Sequence, residues 1–216
     1  MKCKNTIAMV LAGAMLLPSN AFAADLSQYK DFPNDWSAKS LEQAIDDGLL
    51  NGSNGMIDAK GLLTRAQMAA IVSRSFGAAK TASLDDYRDV LPSAWYYSDM
   101  GKAVKMGAFQ GANGLLNPDA PITRAEFAAI AARFDDKNTN NTSNFSDIAS
   151  HWAKDEIGVA ANKGWINGYP DSTFRPDQYI TRAEAMTLVN RVLNRLPEKS
   201  EDLLDDMIKW PDNSDA

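Results

Sequence analysis

The 216-residue chain contains one cysteine and one histidine, and this scarcity excludes several kinds of chemistry. Cys3 lies in an N-terminal segment typical of a cleaved leader, so the mature protein has no thiol. Disulfides, thiolate metal sites and cysteine nucleophiles are therefore excluded together. No nucleophile motif, phosphate-binding loop or dinucleotide fingerprint is present in the sequence either. We therefore expect a protein that is not an enzyme and needs no cofactor or metal.

Basic residues are also in short supply. Lysine and arginine total 22 against 28 acidic residues, and the formal net charge is −6. This balance argues against a broad nucleic-acid-binding face, which needs a basic surface. An anionic partner would have to be held by local groups, against the overall negative field of the protein.

Long apolar runs are absent after the N-terminus. The longest run, at about residues 7–17, is shorter than the roughly 20 apolar residues that a membrane-spanning helix needs. Lys2 and Lys4 precede this run and "AFA" at 21–23 follows it, which is the layout of a secretory signal peptide. We predict a signal peptide over 1–23 and a secreted mature chain with no membrane-inserted segment.

Five landmarks recur in the same order three times, so the chain contains an internal repeat. Each repeat opens with an aromatic-x-Asp pair, and these pairs are 58 residues apart. A tryptophan, two glycines four residues apart and a Thr-Arg pair then follow. We predict unit 1 over 24–79, unit 2 over 80–137, unit 3 over 138–197 and a C-terminal tail over 198–216. The landmarks are Tyr29, Asp31, Trp36, Gly48, Gly52, Thr64 and Arg65 in unit 1; Tyr87, Asp89, Trp95, Gly107, Gly111, Thr123 and Arg124 in unit 2; and Phe145, Asp147, Trp152, Gly164, Gly168, Thr181 and Arg182 in unit 3.

Apolar residues between the landmarks keep helical spacing, which predicts two helices in each unit. The first glycine suits a left-handed helix C-terminus, and a long loop rich in Gly, Asn, Pro and Asp follows it. The pattern Thr-x-x-Glu/Gln then predicts a capping box at the start of a second helix. A unit of this size can barely bury a core alone. The sequence therefore predicts an all-α fold in which three helix-loop-helix repeats form a pseudo-threefold spindle around a shared helical core.

An arginine occupies the first position of each second helix, where the positive end of the helix dipole should repel it. Two interpretations remain open. The arginine could be part of the scaffold, pairing with an acid or laying its stem over an apolar surface. Alternatively, it could bind a carboxylate together with free N–H groups at the helix N-terminus. Unit 1 departs from the others in its loop and in Gln67, which replaces the glutamate of "ITRAE".

The order F/Y-x-D, W, G-x-x-x-G, "GYPDSTFRPD", "ITRAE" closely resembles the surface-layer homology (SLH) domain, as a tandem of three over about 27–196. This resemblance implies a non-catalytic cell-wall or S-layer anchor. Members of the family bind a secondary cell-wall polymer in grooves between units, often one carrying a pyruvate ketal on an amino sugar. Some relatives bind modified peptidoglycan instead. The expected partner is therefore a secondary cell-wall polymer or peptidoglycan glycan.

The resemblance also implies which residues bind the ligand, four from each unit. Each has a structural alternative: tryptophans as core, aspartates as caps or loop organisers, and glycines as backbone hinges. A structural or protein-binding spindle, with its arginines in internal ion pairs, is the rival to the anchor. We expect one or two grooves to dominate, and the altered loop of unit 1 puts its groove in doubt. The implied ligand-binding residues are Arg65, Arg124, Arg182, Asp31, Asp89, Asp147, Trp36, Trp95, Trp152, Gly52, Gly111 and Gly168.

Overall fold

The chain folds into six α-helices, two from each unit, preceded by a short 3-10 turn. The computed structural model describes residues 25–134 and 143–193, and within these ranges it contains no β-strand. The predicted all-α class is confirmed. The predicted signal peptide over 1–23 and tail over 198–216 lie outside the described residues. The helices are α1 Ala38–Asp46, α2 Arg65–Ser75, α3 Tyr97–Lys105, α4 Arg124–Ala132, α5 Lys154–Asn162 and α6 Arg182–Val192; the 3-10 turn is Leu26–Gln28.

The second helix of each unit packs against the first helix of the next unit, in a closed cycle. Helix α2 packs on α3, α4 on α5, and α6 returns to α1. Apolar residues of α2, α4 and α6, such as Ile71, Phe127 and Leu188, are almost completely buried. The units therefore share one core, as the small size of each unit requires.

Backbone hydrogen bonds at the centre of the molecule show the threefold arrangement directly. The N–H of Leu63 donates to the carbonyl of Ile180 (3.1 Å), that of Ile122 to Leu63 (2.9 Å) and that of Ile180 to Ile122 (3.1 Å). All three side chains are buried. Each of these residues immediately precedes a capping threonine, so the triangle fixes the relative positions of the three helix N-termini. The predicted pseudo-threefold spindle is confirmed.

The first glycine of each unit ends the first helix in the left-handed conformation that its position predicted. The φ angles of Gly48, Gly107 and Gly164 are +66°, +77° and +68°. After Gly48, the N–H of Leu49 donates to the carbonyl of Ala44, which closes the helix end. The chain thereby reverses into the long loop that carries the next landmarks.

Candidate functional site

The capping boxes form at all three second helices. In each box the threonine oxygen accepts from the N–H of the third helical residue, and that residue's side chain accepts from the threonine N–H. The first two helical N–H groups donate to loop carbonyls of the following unit: Arg65 to Ala120 and Ala66 to Pro118 in α2, for example. The expectation of free N–H groups at these helix ends is therefore wrong. The loop of the neighbouring unit satisfies the donors that a ligand was expected to meet.

Each motif arginine extends into the following unit and donates to two of its carbonyls. Nε donates to the carbonyl of a buried apolar residue in the loop of that unit. Nη2 donates to the carbonyl of the residue before the second glycine. The acceptors are Leu116 (2.8 Å) and Gln110 (3.4 Å) for Arg65, Phe174 (2.9 Å) and Asn167 (2.7 Å) for Arg124, and Ile57 (2.9 Å) and Asn51 (3.3 Å) for Arg182. The arginines therefore hold adjacent units together.

Apart from these hydrogen bonds, the three arginine side chains have different surroundings. Arg65 forms an ion pair with Glu126, as the rival hypothesis expected of all three. Arg124 is only 1 % exposed and lies between the rings of Tyr169 and Phe174, 4.9 and 4.8 Å from their centroids. Arg182 lines a wide cleft. Burial lowers the pKa of Arg182 from its usual value, and the nearby carboxylates of Asp58 and Asp31 oppose this shift.

Each aspartate accepts hydrogen bonds from two consecutive backbone N–H groups of its own loop. For Asp31 the donors are Ile57 (2.7 Å) and Asp58 (2.8 Å). Burial alone would raise the pKa of Asp31, but these hydrogen bonds outweigh it and hold the pKa below its usual value, with the charge of Arg182 acting in the same direction. Asp89 and Asp147 make the equivalent bonds in units 2 and 3.

The aspartate and the arginine therefore hold the same loop residue from opposite sides. Asp31 accepts from the N–H of Ile57, and Arg182 donates to its carbonyl. The next residue, Asp58, has a left-handed φ of +52°, a conformation in which a non-glycine residue needs such support. This doubly held residue positions the loop against the neighbouring unit.

The second glycine of each unit provides room for the aromatic ring that opens the unit. A Cβ atom added to Gly52 would lie 2.3 Å from Cε1 of Tyr29, and one added to Gly111 would lie 2.3 Å from Cε1 of Tyr87. At Gly168 the ring is that of Phe145, at 2.1 Å. No side chain fits at these positions, so packing within the unit explains all three glycines.

The tryptophans fall into two groups. Trp95 and Trp152 are 64 % and 63 % exposed, and each lies two residues before the first helix of its unit. Trp36, by contrast, is partly buried and packs against the core. The structure thus places two of the three tryptophans where a ligand can reach them.

Two of the intervening clefts are built from all three units. Groove 1 has a volume of about 710 Å³ and combines the loop of unit 1 and helix α2 with Trp95 of unit 2 and Arg182 of unit 3. Groove 2 has a volume of about 170 Å³ and combines the loop of unit 2 and helix α4 with Trp152 of unit 3 and Arg65 of unit 1. In each groove the motif arginine and the exposed tryptophan therefore come from different units.

A third cleft differs in construction. Its volume is about 550 Å³, and all of its lining residues come from unit 3, among them Gly168 and Tyr169. The Tyr169 ring, which lies over Arg124, also lies 3.7 Å from the guanidinium carbon of Arg175. Arg124 lies against the Tyr169 ring and does not line this cleft, whereas Arg182 lines groove 1.

A second repeated arginine was missed in the sequence. It lies nine residues after each motif arginine, at Arg74, Arg133 and Arg191. Arg74 lines groove 1 and Arg133 lines groove 2. Arg74 lies 3.7 Å from Asp99 of α3, and Arg133 donates to the carbonyl of Ala108. Aligning the three second helices beyond the "TRAE" motif would have revealed this position.

Metal clusters and membrane-spanning helices are both absent from the described ranges, 25–134 and 143–193. They contain no cluster of three or more histidine, cysteine or acidic side chains suited to a metal ion. No helix within them is long and apolar enough to cross a membrane. Grooves 1 and 2 are the candidate functional surface because motif arginines and exposed tryptophans line them.

Comparison with known proteins gives matches along most of the chain. It is 36 % identical to the "Cell surface glycoprotein 1" of Acetivibrio thermocellus over 62 % of this chain and 6 % of that protein. It is also 36 % identical to the "Cellulosome-anchoring protein" of the same organism, over 66 % of this chain and 34 % of that protein. With the "Exoglucanase XynX" of Acetivibrio thermocellus it shares 28 % identity over 81 % of this chain and 17 % of that protein. The chain thus spans about a third or less of the length of these relatives.

The family comparison divides the chain as the landmarks do. The S-layer homology domain matches three times, at residues 28–69, 86–128 and 144–186, which together make up more than half of the chain. Each match runs from the opening aromatic-x-Asp segment to the capping box of the second helix. The chain belongs to the S-layer homology domain family, with three tandem copies of the domain.

Proposed function

We propose that this chain is a secreted, non-catalytic module that anchors its carrier to the bacterial cell wall or S-layer. It does so by binding an anionic secondary cell-wall polymer, such as one bearing a pyruvate ketal, in the grooves between units. The observation that carries the proposal is the composition of grooves 1 and 2. Each places a guanidinium and an exposed tryptophan from two different units beside the loop and helix of a third.

The chemistry of these groups suits an acidic sugar. A guanidinium binds a carboxylate through charge-assisted hydrogen bonds. The face of an exposed tryptophan provides an apolar surface for the C–H side of a sugar ring. Arg74 and Arg133 add a second cation to grooves 1 and 2. The aspartates and glycines support this site by holding the loops in place, so we assign them positioning roles.

The names of the relatives agree with anchoring. One relative is a "Cellulosome-anchoring protein" and another a "Cell surface glycoprotein 1". The match to an exoglucanase covers 17 % of that enzyme, and an anchoring module needs no more than such a segment. Export through the predicted leader at 1–23 would bring the module to the wall.

The rival function, a structural or protein-binding spindle, is favoured by one observation. Arg65 is already paired with Glu126, and all three arginines bond to carbonyls between units. These bonds give the repeated arginines a role in the scaffold without any ligand. They leave unexplained why Trp95 and Trp152 are exposed beside the arginines.

A sedimentation assay separates the candidates. Mature protein is mixed with purified wall sacculi before and after the attached polymer has been chemically stripped. We expect the protein to sediment with intact sacculi and to stay in solution with stripped ones. Sedimentation with both would replace the polymer by peptidoglycan as the ligand. Absence of sedimentation with either would support the rival.

A further inference from the structure

The arginines of grooves 1 and 2 make equivalent hydrogen bonds through Nε and Nη2 and differ at Nη1. Arg182 in groove 1 and Arg65 in groove 2 each donate through Nε and Nη2 to two loop carbonyls. Two of the three nitrogens of each guanidinium are thus committed to the scaffold. The remaining nitrogen, Nη1, has two N–H groups that take no part in these bonds and can donate to another group.

In groove 2 the protein itself provides that group. Glu126, the third residue of α4, divides its carboxylate between two tasks. Oε2 accepts from the N–H of Thr123 at 2.9 Å and completes the capping box. Oε1 accepts from Nη1 of Arg65 and forms the ion pair across the unit boundary. The guanidinium of groove 2 is consequently satisfied without a ligand.

In groove 1 the equivalent residue is Gln67, the departure that distinguishes "LTRAQ" from "ITRAE". Its Oε1 accepts from the N–H of Thr64 at 3.1 Å, so the capping box is kept. The other side-chain group of a glutamine is an NH₂, which donates and cannot pair with a guanidinium. Among the described residues, Nη1 of Arg182 has no hydrogen-bond acceptor, and both Arg182 and Gln67 line the groove.

The other charges around groove 1 leave this arrangement intact. Asp58 and Asp31 lie near enough to Arg182 to act on its charge, but among the described residues neither carboxylate accepts a hydrogen bond from it. Arg74 lines the groove as a second cation, 3.7 Å from Asp99. The volume of about 710 Å³ also suits a sugar better than the 170 Å³ of groove 2.

We infer that groove 1 is the principal carboxylate-binding site of the molecule, and that the residue at the third position of the second helix decides which groove binds. A ligand carboxylate oxygen would occupy, beside Arg182, the place that Oε1 of Glu126 occupies beside Arg65. Gln67 selects for the ligand because it provides no internal acid. This inference rests on the proposed function and assigns it to one groove.

Two reciprocal substitutions test the inference. Gln67→Glu gives groove 1 the internal acid of groove 2, and Glu126→Gln removes that acid from groove 2. Both residue types already support a capping box in this molecule, so each variant keeps its helix N-terminus. The probe is an N-acetylated amino sugar carrying a pyruvate ketal, with the same sugar lacking the ketal as the control. Affinity and stoichiometry are measured by titration calorimetry of the full chain.

We expect wild type to bind one ketal sugar, and Gln67→Glu to bind it roughly tenfold or more weakly, because a hydrogen bond to a charged group is lost. Glu126→Gln should bind at least as tightly as wild type. The double variant Gln67→Glu/Glu126→Gln should recover binding, now sensitive to Trp152→Ala rather than to Trp95→Ala. Equal affinity of Gln67→Glu and wild type would overturn the inference.

Sedimentation with intact sacculi distinguishes the failure of this inference from failure of the function. If wild type and Gln67→Glu sediment equally, the anchor function stands and the assignment to groove 1 is overturned. If wild type does not sediment, the proposed function fails and the inference fails with it. If Gln67→Glu alone is lost from the pellet, both are supported.

Discussion

Grooves 1 and 2 are built on the same plan, yet they are chemically different. Each receives an arginine from one neighbouring unit and an exposed tryptophan from the other. In groove 2 Glu126 pairs with the arginine, whereas in groove 1 Gln67 cannot. The comparison teaches that a repeated scaffold can keep its helix caps and its unit-to-unit bonds while a single side-chain oxygen changes the binding chemistry of one groove.

The largest effect should come from the arginine that is farthest from solvent. Arg124→Ala removes the donors to the carbonyls of Phe174 and Asn167 and opens a cavity between two rings. We expect a loss of about 2–4 kcal/mol in the free energy of unfolding, measured by urea denaturation. Ligand affinity of the folded fraction should stay unchanged because groove 1 depends on Arg182. A loss below about 0.5 kcal/mol would show that Arg124 is not part of the scaffold.

Substitution of the aspartates should affect stability equally in different units, because their hydrogen bonds are equivalent. Asp31→Asn and Asp89→Asn each disturb a carboxylate that accepts from two backbone N–H groups, so each should cost about 2 kcal/mol of stability at pH 7. Similar losses at the two positions would mark the scaffold as threefold. A loss at one position alone would contradict that.

The pH dependence of the Asp31 contribution follows from its lowered pKa. A carboxylate with a lower pKa in the folded than in the unfolded state stabilises the protein above the unfolded-state pKa of about 3.9. This stabilisation is lost as the pH falls through the folded-state pKa. The difference in stability between wild type and Asp31→Asn should therefore be constant near neutrality and shrink below about pH 4, as measured by thermal melting across that range.

The two exposed tryptophans provide a matched pair for binding. Trp95 and Trp152 have nearly equal exposure, so replacing either by alanine should change stability by less than about 0.5 kcal/mol. Trp95→Ala should weaken binding of the ketal sugar about tenfold, the expected cost of losing roughly 50 Å² of apolar contact. Trp152→Ala should have little effect. Equal effects of the two substitutions would show that the grooves are used alike.

The smallest effect should be that of the glutamine-glutamate exchange on stability. Gln67→Glu keeps the capping box and adds a negative charge near the N-terminus of α2, which the helix dipole favours by about 0.3–1 kcal/mol. The melting temperature should therefore stay the same or rise slightly. A marked fall would mean that weaker binding by this variant reflects damage to the fold.

The sequence predicted the fold almost completely because its signals are local. Capping boxes, left-handed glycines and helical spacing of apolar residues act within a few positions, and the threefold recurrence confirmed each signal with two others. The site could be predicted only in part. The arginine was recognised as unusual, but which carbonyls it reaches depends on contacts between residues more than 40 positions apart, such as Arg124 with Asn167.

The difference between the grooves could not be predicted from the sequence either, because it also depends on contacts between distant residues. Gln67 was recognised as a departure of unit 1, and the altered loop cast doubt on the groove of that unit. The structure shows that Arg182 arrives there from unit 3, so the effect of Gln67 depends on the order in which the units close the cycle. Repeat spacing alone does not specify that order.

The most direct test of the account is a crystal structure of the mature chain soaked with the pyruvate-ketal amino sugar. We expect density for one sugar in groove 1, with its carboxylate within hydrogen-bond distance of Nη1 of Arg182 and its ring against Trp95. Groove 2 should keep the ion pair between Arg65 and Glu126. Density in groove 2 with that ion pair broken, and none in groove 1, would contradict the account.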